Sequence, residues 1–230
     1  MTPFPFFRDR TDAGEQLAQE IHRTLLQTTE SRVSVPIVYG LPRGGLAVAS
    51  PVARLLKSPL DIVVAKKISH PKNPELAIGA VTAAGNVLWA SDTPFRIQQS
   101  REGKAALTEA FNKAQAQQIQ LAPACPQIHP QGAIAILVDD GIATGMTIAV
   151  AAQALRTQHP KAIWLCTPVA PPSLLPWLQQ WGDQIIVLET PEPFFSVSCF
   201  YAEFPQVETE SALVYLQQQN EWLGGRGVNS

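Results

Sequence analysis

A chain of 230 residues with a formal net charge of −2 and only 16% charged residues is long enough for a sizeable core in one large domain or a little more. Its basic residues are scattered, which argues against a nucleic-acid surface, and no stretch approaches the length of a membrane span. Cys125, Cys166 and Cys199 have no metal-type spacing; Cys166 and Cys199 lie in apolar runs, so reduced, buried thiols and a cytoplasmic protein are expected.

The opening MTPFPFFRDR has prolines and early charges, unlike a signal peptide. Phe4, Phe6 and Phe7 are expected to pack on the domain as an arm. Residues 12–28 read as a helix, with Leu17, Ile21 and Leu25 every four residues and Asp12 with Glu15 as a capping pair; His22 on it reads as solvated. Residues 35–39 read as a strand, followed by the loop Gly40-Leu41-Pro42-Arg43-Gly44-Gly45 and a helix to Leu56. Pro51 conflicts with that helix at about 3 kcal/mol, so it either starts near Pro51 or is kinked. Gly44 and Gly45 would let backbone approach a ligand, and Arg43 can grip phosphate oxygens in bidentate fashion.

Residues 60–65, LDIVVA, read as a buried strand ending in Lys66-Lys67, a basic pair at the edge where α/β proteins bind ligands. Residues 68–75, ISHPKNPE, read as a polar excursion, either a mobile loop carrying His70 and Lys72 or a rigid proline turn. Residues 76–81 and 87–90 form a hairpin around a Gly85-containing turn, with Trp89 as packing. Thr93-Pro94 starts a helical region to about Leu121, broken near Gly103; residues 123–132 link it to the next strand.

Residues 133–138 are an unbroken apolar run, a strand buried on both faces. Asp139-Asp140-Gly141-Ile142-Ala143-Thr144-Gly145 is a glycine-punctuated loop, and a small-residue helix starts at Met146. This order builds an anion site at a helix N-terminus. Two carboxylates beside it repel phosphate alone, so the ligand should also offer hydroxyls or a metal-chelated phosphate; a phosphorylated sugar offers both. Strands at 162–167 and 184–188, a helix over 173–181, a strand over 196–201 and a helix over 209–222 follow. The last eight residues read as disordered.

ILVDDGIATGMT resembles the phosphoribosyl-pyrophosphate (PRPP) motif of type I phosphoribosyltransferases, and the Arg43-Gly44-Gly45 loop resembles the pyrophosphate loop of their purine and xanthine members. The set FRDR, LPRGG, NPELAIGAV, DDGIATG and TPEPFF looks most like the uncharacterised "predicted phosphoribosyltransferase" group of that family. The resemblance implies a doubly wound parallel α/β sheet with a core over 1–167, a hairpin-and-helix insertion over about 68–131, a hood over 168–206, a C-terminal helix over 207–223 and a disordered tail over 224–230. It implies transfer of ribose 5-phosphate from PRPP to a nitrogen acceptor, with Mg²⁺ on the pyrophosphate. Asp139 and Asp140 would hold the ribose hydroxyls and, indirectly, the metal. Arg43 with Lys66 or Lys67 would face the pyrophosphate. Gly44, Gly45, Gly141, Ala143, Thr144, Gly145, Met146 and Thr147 would bind PRPP, and Phe195, Tyr201 and Phe204 are candidates for stacking on a base. No lysine follows Lys161, so base recognition by a hood lysine is absent. A PRPP-sensing module without catalysis and a sugar-phosphate phosphatase are the other readings. Dimers are frequent in the family, and Trp89 or the 94–121 helix offers a contact.

Overall fold

The computed structural model describes residues 5–28 and 35–226. Five parallel strands form the main sheet in the order β2-β1-β6-β7-β8: β1 (Pro36–Gly40), β2 (Leu60–Ile62), β6 (Ile134–Val138), β7 (Ala162–Val169) and β8 (Gln184–Glu189). Alternation along β6 divides the core. Ile134, Ile136 and Val138 join Leu17, Ile21, Leu46 and Val52 beneath α1 (Arg10–Gln27) and α2 (Gly44–Leu56). Ala135 and Leu137 face the other way, against Ile148, Ala151 and Leu155 of α5 (Met146–Arg156). All five β6 residues are buried, and each large aliphatic contributes about 1.5–3 kcal/mol. Among the described residues no helix is long and apolar enough to cross a membrane.

Three antiparallel strands, β3 (Ala65–His70), β4 (Asn73–Thr82) and β5 (Val87–Trp89), form a second, inserted sheet. Two helices follow it, α3 (Phe95–Gln99) and α4 (Arg101–Leu121). One face of the insertion packs Ile68, Ile78 and Val81 against Ala110 of α4, with Trp89 part of that packing. The other face presents Ala65 and Ala80 to Met146 and Val150 of α5.

Several expectations are corrected. The run LDIVVA ends as a main-sheet strand at Ile62, and Lys66-Lys67 stand inside β3 of the other sheet, between Ala65 and Ile68, which are buried on opposite faces. The segment 68–75 is mostly strand, with Pro71 and Lys72 at the hairpin tip. The helical break falls at Ser100, whose hydroxyl accepts from the Gly103 amide at 2.9 Å, so Gly103 lies in the first turn of α4. The α1 cap is Asp9, accepting from the Asp12 amide at 2.8 Å, in place of the Asp12–Glu15 pair.

The α2 helix is continuous through Pro51 and starts before it, at Gly44. Gly14 of α1 explains the fit: a Cβ there would lie 2.6 Å from the Val48 carbonyl oxygen and 3.0 Å from Pro51 Cγ, so the two helices meet backbone to backbone. The expected helix over 173–181 is a 3-10 turn followed by α6 (Leu175–Leu178), and the expected strand over 196–201 is a 3-10 turn at Val197–Phe200. Phe7 is buried against Tyr201 and Phe6 stacks on Phe200 at 5.8 Å, forming the aromatic arm; Phe4 lies outside the described residues. The last helix, α7 (Thr209–Arg226), extends into the expected tail, of which 227–230 lie outside the described residues. Cys199 is exposed, because its 3-10 turn directs it outward while Phe200 takes the buried position; Cys166 is buried as expected.

Candidate functional site

The loop after β6 is held from both sides. The Ile142 amide donates to Val169 O at 2.9 Å and the Asp139 amide to Cys166 O at 3.3 Å, tying the loop to β7. Gly145 has φ +76°, the left-handed region, and a Cβ there would run into the Trp177 ring. It precedes α5 without a side-chain cap, so the first amides of α5 keep the unpaired donors that every helix start carries. Ala143 and Thr144 are exposed at the loop tip, Thr147 is half-buried and Met146 is buried. Val197 closes over Gly141, which has no room for a side chain.

The loop before α2 meets it at the same sheet edge. The Pro42–Arg43 peptide is cis. A Cβ on Gly44 would fall on the Asp140 carboxylate, and one on Gly45 would lie 2.8 Å from Val138 O and 3.2 Å from Asp139 Oδ1. These glycines therefore admit the neighbouring loop's carboxylates and backbone. Arg43 points toward the start of α7, with Nη1 3.7 Å from Glu208 Oε2 and 3.4 Å from Thr209 Oγ1.

Arg10, the first residue of α1, has its partners far along the chain. Its Nε donates to Asp140 Oδ2 at 2.7 Å and its Nη1 to Pro205 O at 2.6 Å, while its guanidinium lies 3.6 Å from the centre of the Phe204 ring. It is 130 positions from its ion-pair partner, beyond any local pattern. Tyr201, in the segment between β8 and the last helix, approaches the same residue, donating its hydroxyl to Asp140 O at 2.6 Å.

Arg10, Arg43, Gly44, Lys66, Lys113, Asp140, Gln206 and Thr209 are among the residues that line one cleft of about 570 Å³. Strand alternation separates the two lysines: Lys66 faces this cleft, and Lys67 lines a smaller cavity with His70 and Pro71. Burial pushes the Lys66 ammonium below its ordinary value, and the charges of Arg43 and Lys113 add to that. Burial raises Asp139 well above the usual carboxylate range, with the adjacent Asp140 next in effect; Lys67 and Arg10 act in the opposite direction. Burial raises Asp140 too, opposed by Arg10. The cleft thus combines crowded cations with the Asp140 carboxylate, while the neighbouring Asp139 and the loop residues Ala143, Thr144 and Thr147 lie outside its lining.

The aromatic candidates are not presented together. Tyr201 is 5% exposed and in ring contact with Phe7 and Phe204, which leaves little face for a base. Phe204 carries the Arg10 guanidinium, and Phe195 stands 74% exposed. His70 accepts from the Lys72 amide at 3.1 Å, and both line a cavity with Arg96 and Ser100 away from the cleft.

Residues 8–177 match the family model described as "Phosphoribosyl transferase domain". The chain belongs to this family. Two Mycobacterium tuberculosis proteins, Rv0571c of strain H37Rv and MT0597 of strain CDC 1551, are 34% identical over 227 residues, 96% of this chain and 49% of theirs; both are named provisionally as phosphoribosyl transferases. The chain spans about half the length of these relatives. Its fold is similar to that of TT1426 from Thermus thermophilus, with a TM-score of 0.74 and 29% identity over 93% of this chain and 98% of that one. The five-stranded parallel sheet with its antiparallel insertion is thus a phosphoribosyltransferase fold.

Proposed function

We propose that the cleft binds PRPP and transfers ribose 5-phosphate to a nitrogen acceptor, a nucleobase or related heterocycle. The observation that carries this reading is the meeting of two βα loops, where Asp139 packs against Gly45 and where Asp140, Arg43 and Gly44 line one cleft with Lys66. The amides at the start of α5, with Thr144 and Thr147, take the 5-phosphate and position the sugar away from the bond that breaks. Asp139 and Asp140 take the ribose hydroxyls and stabilise the positive charge that grows on the ring. Arg43 and Lys66 receive the pyrophosphate as its bond to C1 breaks. The acceptor nitrogen forms the new bond to C1 and loses its proton to solvent or to the departing pyrophosphate.

Magnesium fits the donors present. Among the described residues no three His, Cys, Asp or Glu side chains gather into a protein-only metal site, and Mg²⁺ commonly takes one or two carboxylates together with substrate phosphates. Asp139 and Asp140 would hold it indirectly, through bound PRPP, and the ion would supply neutralisation of the leaving pyrophosphate.

Calorimetric titration with Mg-PRPP, followed by a panel of bases with pyrophosphate detection, tests the proposal. Saturable binding with release of pyrophosphate in the presence of one acceptor is expected; hydrolysis of sugar phosphates without PRPP binding would overturn it. The withdrawal of Tyr201 and Phe204 from the cleft favours one second reading, a PRPP-binding regulatory module, for which binding would occur without turnover with any acceptor.

A further inference from the structure

We propose that Arg10 is a positioning residue for the ribose site: it holds Asp140 in a single orientation and makes that orientation depend on the seating of Phe204 and Pro205. The inference rests on the PRPP reading above, since it concerns the carboxylate assigned to the ribose.

Three contacts of different kinds fix the guanidinium. Nε is 2.7 Å from Asp140 Oδ2, Nη1 is 2.6 Å from Pro205 O, and the Phe204 ring lies under the charge at 3.6 Å. The side chains of Arg10 and Asp140 are 10% and 17% exposed, so solvent screens the pair weakly. The contact occupies Oδ2 alone; among the described residues Oδ1 has no hydrogen bond to another residue's side chain or backbone. A carboxylate gripped on one oxygen can still accept a hydroxyl on the other. Gly44 is part of the device, because any side chain there would fall on Oδ2 and approach Arg10 Nε to 3.1 Å. Tyr201 completes it by anchoring the Asp140 carbonyl.

This geometry exceeds the needs of a structural ion pair. Stability alone would be served as well by an apolar pair of similar volume. Instead one cation joins the start of α1, the loop after β6 and the segment before α7, and it also lines the cleft itself. A hood segment that shifts would move Phe204 and Pro205, and with them the ribose carboxylate.

The test compares two ligands that share a phosphate group but differ in the sugar: Mg-PRPP and inorganic Mg-pyrophosphate, each titrated into wild type, Arg10→Gln, Arg10→Lys and Phe204→Leu, with Tm recorded alongside. Arg10→Gln is expected to weaken PRPP about tenfold or more while pyrophosphate stays within about twofold. Arg10→Lys keeps the charge but cannot make both hydrogen bonds from one planar group, so it should fall between wild type and Arg10→Gln. Phe204→Leu removes the ring and keeps the ion pair; it should give a smaller loss, again confined to PRPP. Should Arg10→Gln not fold, Arg10→Lys and Phe204→Leu decide the matter. Parallel losses for both ligands would mean a merely structural or long-range charge role and overturn the proposal. So would unchanged or tighter PRPP binding, the latter making Arg10 a competitor for the site. A wild type that binds pyrophosphate but not PRPP overturns the PRPP reading itself and, with it, this inference.

Discussion

The chain contains two strand–glycine–helix loops that look alike in sequence and differ in how they use glycine. In the loop before α5, Gly145 adopts a backbone conformation closed to most residues, and the tip at Ala143 and Thr144 stays open. In the loop before α2, Gly44 and Gly45 carry no such conformation; their missing side chains make room for Asp140, Asp139 and Val138 of the other loop. A glycine pair therefore marks a close approach without saying what approaches. Here one loop keeps an open tip and the other makes room for its neighbour, and Asp140 is where they meet.

A series of substitutions sharpens that contrast, from the largest effect to the smallest. Asp140→Asn keeps the shape of the meeting point and removes its charge; pyrophosphate release should fall about 100-fold, while circular dichroism remains that of a folded α/β chain. Gly44→Ala forces a methyl group onto the same carboxylate. Overpacking of about 1–3 kcal/mol should lower Tm and cost roughly tenfold or more in PRPP affinity by calorimetry. Gly132→Ala, with φ +72° and nothing within 4 Å of the added Cβ, is the contrast: a small loss of Tm and unchanged PRPP affinity.

Thr144→Val at the open tip removes one hydroxyl and should weaken PRPP about two- to tenfold with no change in Tm, the usual worth of a single hydrogen bond. Asp61→Asn should have the mildest effect and none on the ligand. Asp61 lies on β2, away from both loops, in a cavity of about 310 Å³ with Tyr39 and Gln118, and burial raises its carboxyl above the ordinary value. The native chain therefore holds that proton to higher pH than the unfolded chain, and stability falls as pH rises from the unfolded value near 3.9 through the native one. Asparagine removes this fall, so thermal melts should show a Tm gain at pH 8 that disappears toward pH 4.

Much of the fold can be read from the chain because its signals are local. The apolar run before Asp139, the run before Thr167 and the Gly85 turn each specify an element within about ten residues, and all three are present. The insertion is less legible at its start. The segment 60–70 reads as strand then loop, but two strands of different sheets share it, and β3 buries Ala65 and Ile68 on opposite faces around Lys66-Lys67, so no one-sided alternation marks it. At the site, the carboxylates and glycines are visible because loop chemistry is local. Arg10 is not, since its meaning comes only from Asp140, Phe204 and Pro205, all far along the chain. The same distance hides the fate of Tyr201, whose hydroxyl is committed to the Asp140 backbone carbonyl, 61 positions away.

The position of α5 has a further consequence. One flank rests on the parallel sheet through Ile148, Ala151 and Leu155, the other on the inserted sheet through Met146 and Val150. The helix that begins at the Gly145 loop is thus a wedge between two sheets, and the insertion serves as its outer bearing. Trimming the chain to a minimal parallel core would expose Met146 and Val150 to water and leave the loop mounted on a half-supported axle. A transplant of this site into another scaffold would have to carry β3, β4 and β5 with it, although they lie apart from both glycine loops in the sequence.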